Sequence, residues 1–112
     1  TSGVDGAVRG GGRPLDAATR GSMEARFGYD FARVRVHDDA RAAAGAARLD
    51  AAAFTVGQDV VFGAGRYAPA SYAGRHLLAH ELAHVVQQSA SALPGRDGYA
   101  SPIQRKVRRE GR

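Results

Sequence analysis

The sequence predicts a small α+β domain, about three helices packed on one short sheet that includes a β-hairpin. Three observations carry this. Arg33-Val34-Arg35-Val36 alternates at period two, the pattern of a half-buried strand. AFTVGQDVVFG (residues 53–63) places two β-branched and aromatic runs about Gly57-Gln58-Asp59, a hairpin signal. Leu77, Leu78, Leu82, Val85 and Val86 recur at helical spacing, which marks an amphipathic helix.

The elements follow in order. Residues 1–13 are Gly-rich and read as a flexible leader. In PLDAATRGSMEARFG, Asp16 is an N-cap, Leu15, Met23 and Phe27 are anchors, and Gly28 is the expected stop. Gly21 weakens the middle of this helix. A strand is predicted over residues 33–37, after which Asp38 or Asp39 caps an alanine-rich helix of about residues 40–49. The hairpin pairs 54–56 with 60–62, and a loop carrying Tyr67 and Pro69 leads to Ser71, the cap of a last helix over 72–88. The domain is thus expected over residues 14–89, with a basic, flexible tail over 90–112.

Length and composition narrow the function classes. A chain of 112 residues fits one small domain, and one this short gains from a metal or a partner because it buries a smaller share of its surface. There is no cysteine, so disulfides and thiolate ligands are excluded and any metal must be held by His, Asp or Glu. No run reaches the roughly 20 apolar residues of a membrane span, so no membrane insertion is expected. TSGVDGAVRGGG lacks the apolar centre of a signal peptide. The net charge of +5 is concentrated in residues 104–112, which hold five basic side chains and one acid. The remaining 11 basic and 10 acidic residues nearly cancel. With no aromatic interleaved among the tail arginines, nucleic-acid binding is not expected.

The chemistry lies in the last helix. LLAHELAHVVQQ contains His80-Glu81-x-x-His84. Residues four apart share a helix face, so the two imidazoles project one turn apart and suit one Zn2+. Glu81 flanks that face as a general base toward a water that the metal acidifies. A catalytic zinc usually takes three protein ligands, and the motif supplies two. His76 continues the series, but an i to i+8 span covers about 12 Å of helix, so one ion cannot bridge its ends. Gln87 and Gln88 are read as orienting a ligand or as solvated groups, and Asp38 and Asp39 as caps rather than ligands. Glu110, 26 residues after His84, has the spacing of a downstream carboxylate ligand but sits in the basic tail.

RPLDAATR, FARVRVHDDARAAA, FTVGQDVVFGAGRYAP and GRHLLAHELAHVVQQ, with the later IQRK at 103–106, together resemble the eCIS core domain. That domain occurs in proteins associated with bacterial extracellular contractile injection systems and other toxin-delivery chains. The resemblance implies a zincin-like fold and a zinc metallopeptidase activity inferred from the motif. It also implies a place in modular proteins ahead of variable cargo. The expected role is to process or release cargo, or to mark a protein for the delivery particle, after synthesis in the bacterial cytoplasm. His37, at the end of VRVH, matches the family's motif and is the candidate third zinc ligand. Otherwise it is an oxyanion donor or a group that orients a ligand. Tyr67, in GRYAP, also matches, and its phenol would stabilise an oxyanion or simply pack on the hairpin. The expected partners are a peptide or protein substrate, taken in extended form along a sheet edge, and the injection particle or its cargo. The chain's own C-terminal segment near Ile103–Lys106 is a candidate substrate in cis. The alternative reading is a non-catalytic docking or packaging module.

Overall fold

Three helices and three strands follow one another as α1 (Ala17–Phe27), β1 (Arg35–His37), α2 (Ala40–Arg48), β2 (Ala53–Val56), β3 (Asp59–Phe62) and α3 (Tyr72–Ser91). This computed structural model describes Val8 and residues 11–91, and within them the expected α+β class is found. The caps are the expected ones. Asp16 accepts from the Thr19 amide at 3.0 Å. Gly28 takes a left-handed conformation (φ 63°) and returns its N–H to Glu24 O at 2.7 Å, which a residue without Cβ does without strain. Of the two candidate caps of α2, Asp39 does the work, accepting from Ala42 N at 2.9 Å. Asp38 turns away to pair with Arg13 at 2.7 Å. Ser71 caps α3 through the Gly74 amide at 2.9 Å.

The strand order is β1-β3-β2, with β1 parallel to β3 and β2 antiparallel to it. Strand β1 is shorter than the alternation suggested. Its first partnered residue is Arg35, opposite Asp59, while the Val34 amide is spent on a turn to Phe31 O at 3.1 Å. The hairpin turn is tighter than expected: Val56 pairs directly with Asp59, leaving Gly57 and Gln58 as the two loop residues. Gly57 at φ 62° supplies the positive φ that a two-residue hairpin requires.

Alternation along the strands sorts the interior into two layers. Val36, Ala53, Val60 and Phe62 face α1 and α3, where they meet Met23, Phe31, Leu78, Leu82 and Val85 in the larger cluster. Phe54 and Val61 face α2 and meet Ala42 and Ala46. Small residues on α2 let that helix lie close to the sheet.

Both outer strands are covered. The Val36 backbone is bridged by Arg13 through bonds of 3.0 and 2.7 Å, so residues 11–13, expected in the leader, reach the sheet. On the other side Ala53, Phe54 and Thr55 are fully buried. The outward-turned Thr55 carbonyl accepts from Gln88 Nε2 at 3.3 Å. Paired or covered edges resist strand addition.

Candidate metal centre

Helix α3 presents the motif because its apolar stripe must face the sheet. Leu78, Leu82 and Val85 are fully buried, and this rotation sets where the residues between them point. His80 is exposed and lines a hollow of about 460 Å³ between α3 and the loop that precedes it. His84, one turn on, is only 7% exposed. The two rings lie 4.9 Å apart, centroid to centroid, and nearly perpendicular at 83°. Two imidazoles so close on one face fit a shared metal ion. His84 Nδ1 lies 3.4 Å from Gln87 Oε1, a long contact of the kind that sets ring orientation.

Glu81 lies on the sheet side of the helix and is fully buried. Its Oε1 accepts a 2.6 Å hydrogen bond from the Thr55 hydroxyl on β2. That hydroxyl also lies 3.3 Å from the Glu81 carbonyl. Burying a carboxylate is costly unless donors compensate it, and Thr55 is one such donor. Gln88 contributes to the fold rather than to the metal face. Its Oε1 accepts from the Gly57 amide at 2.7 Å and its Nε2 donates to Thr55 O, so it clips the hairpin to α3.

His37 is not brought to the histidine pair. Val36 belongs to the cluster under α3, so its neighbour His37 points to the opposite face of the sheet. There its Nε2 lies 2.8 Å from Asp59 Oδ1, and its ring lies so close to Gly12 that a Cβ at that position would sit 2.8 Å from Cε1. A ligand role for His37 in the same site as His80 would require the strand to turn over. Among the described residues no three His, Asp or Glu side chains form a group able to hold a metal ion. Among the described residues the donor set that could grip an ion is the imidazole pair of His80 and His84. Glu110 and the segment 103–106 lie outside the described residues. His76 lines the same hollow as His80 and stacks on Tyr72 at 6.3 Å.

Tyr67 packs as a loop aromatic. Its ring lies 5.2 Å from that of Phe62, and the Arg13 guanidinium sits 5.4 Å from its centroid. Burial raises the phenol's pKa above its ordinary value, and the Asp16 carboxylate adds to the shift. Tyr67 does not line the hollow beside His80, although its neighbours Arg66 and Ala68 do.

Two residues of this site went unread in the sequence. Thr55 looks like an ordinary strand residue of AFTV, and only the packing of β2 on α3 joins it to Glu81. Arg66 lies in the loop and gains interest only from the wall it forms. No helix among the described residues is long and apolar enough to cross a membrane.

Comparison with curated proteins and with solved structures yields no match in either set. The family model of the eCIS core domain does match, over residues 14–92. That span holds all three helices, all three strands, the histidine pair, Glu81 and Thr55; the chain belongs to the eCIS core domain family, which is associated with contractile injection systems.

Proposed function

We propose that this domain is a zinc-dependent endopeptidase that processes or releases cargo linked to a contractile injection system. The observation that supports it best is the His80–His84 pair, with rings 4.9 Å apart, beside a hollow large enough for part of a peptide. His80 and His84 would hold the ion. A zinc ion held there would supply Lewis-acid activation of water and carbonyl. Glu81 would act as the base that removes a proton from an attacking water and returns it to the leaving amine. Thr55 fixes the orientation of the carboxylate from the sheet side, and Gln87 steadies the His84 ring. Solvent shielding around Glu81 strengthens its electrostatic effect on any reacting group that enters.

The test compares the zinc-supplemented wild type with Glu81→Gln on a mixed peptide library, with products read by mass spectrometry. The expected result is cleavage by the wild type alone, at equal zinc content. Intact mass over the same incubation reports any cut in cis near Ile103–Lys106. No product from either protein would overturn the peptidase reading.

One observation favours a second reading. Glu81 is fully buried and bonded to Thr55, which is also what a purely structural carboxylate would show. In that case the domain is a docking module for the injection particle, and Glu81→Gln loads as well as the wild type.

A further inference from the structure

The hollow beside His80 has a chemical character of its own. Its walls are small or apolar, with Ala52 at the head of β2, Ala68 on the loop, and Ala73 and Leu77 on α3. Among the described residues no acidic side chain lines it, and Arg66 is the one permanently charged residue of its wall. Among the described residues no carboxylate pairs with that guanidinium: the ion pairs there use Arg13, Arg20 and His37. The loop that carries Arg66 is held in place. Ser71 N donates to Ala68 O at 3.1 Å, and Arg75 Nη1 donates to Pro69 O at 3.2 Å. A side chain at Gly74 would collide with the Ala68 carbonyl, so only glycine lets loop and helix approach this closely.

The closed sheet edges matter here. With β1 and β2 covered among the described residues, recognition of a peptide falls to side-chain pockets, and this hollow is lined by His80. We propose that this hollow is a specificity subsite for an acidic side chain of the peptide substrate, with Arg66 binding the carboxylate. This rests on the peptidase reading above, in that it places the acidic residue next to the bond presented at His80. Guanidinium suits the task because it pairs with carboxylate through two parallel N–H donors.

The test measures binding, so it does not depend on turnover. Zinc-free wild type, Arg66→Ala and Arg66→Lys are titrated at fixed ionic strength with three blocked tetrapeptides, followed by protein NMR shifts. One peptide carries a glutamate, the second a glutamine in its place, and the third the glutamine with a free C-terminal carboxylate. The glutamate peptide should bind the wild type about tenfold more tightly than its glutamine counterpart. The preference should vanish in Arg66→Ala and survive in part in Arg66→Lys. Arg66 is exposed, so its removal leaves the core intact, which a thermal melt checks. Equal affinities, no binding by any peptide, a preference that survives Arg66→Ala, or a gain by the free terminus equal to that of glutamate would each overturn the subsite. If the preference holds while zinc-loaded wild type cleaves nothing, the peptidase reading fails and the acidic pocket stands.

Discussion

The two sides of the small sheet each hold a buried histidine, but the two are partnered differently: His84 by a second imidazole, His37 by a carboxylate. Under α3, His84 sits one helical turn from His80, and Glu81 lies between them in sequence. Under α2, His37 faces Asp59 across neighbouring strands. The first arrangement is local and follows from 3.6 residues per turn. The second depends on the parallel register that sets His37 against Val61 and Arg35 against Asp59. A helix can gather two ligands by itself. A strand delivers a residue to one face or the other, and a shift of one residue reverses the outcome.

The sharpest way to break this contrast is metal analysis. His80→Ala and His84→Ala should each take bound zinc from full occupancy to near zero, whereas His37→Ala leaves it unchanged. Loss of zinc in His37→Ala would mean that the two faces are not independent. Next in size is the packing difference. Leu82 is fully buried in the larger cluster, and Leu82→Ala should cost about 2–5 kcal/mol in urea unfolding. On the other face Ala46 is tightly packed, and Ala46→Leu should cost about 1–3 kcal/mol by crowding α2 against the sheet. Thr55→Val comes third. It removes the hydroxyl that donates to Glu81 and should cost about 1–3 kcal/mol, with Thr55→Ser restoring most of it. If Thr55→Val is neutral, the bond contributes nothing to the α3 face.

The smallest effect is at the edge of the domain. Asp16→Ala should cost about 1 kcal/mol through loss of the α1 cap. The hydrogen bond from the Thr19 amide lowers the pKa of this carboxyl from its ordinary 3.8. A carboxyl lowered on folding stabilises the protein above its unfolded pKa, and that stability is lost as pH falls through the lowered value. The difference between wild type and Asp16→Ala should therefore narrow below about pH 4.

Much of this was legible because it is local. Asp16, Gly28, Ser71 and the leucines of α3 announce helix ends and faces within a few residues of chain. The hairpin was legible too, though its turn proved one residue shorter because Asp59 is needed opposite Val56. The placement of β1 beside β3 was not, since no local signal says which strand will pair with which. His37 shows the limit clearly. RVRVH already alternates, so His37 had to lie opposite Val34 and Val36, but which face would meet α3 depends on contacts far along the chain. The Thr55–Glu81 bond, between residues 26 positions apart, was hidden for the same reason.

The bridging of Val36 by Arg13 and the clip from Gln88 to Thr55 have a consequence for how such domains coexist. Chains that are stored side by side at high density risk zipping together wherever main-chain donors and acceptors stand in an open row. Here one residue of the leader and one glutamine of the last helix close those rows with parts of the same chain. Among the described residues, the Val36 backbone and the Thr55 carbonyl are thereby withheld from a neighbour. Crowding many copies together should then leave each domain separate, and contacts between them must be made by side chains chosen for that purpose.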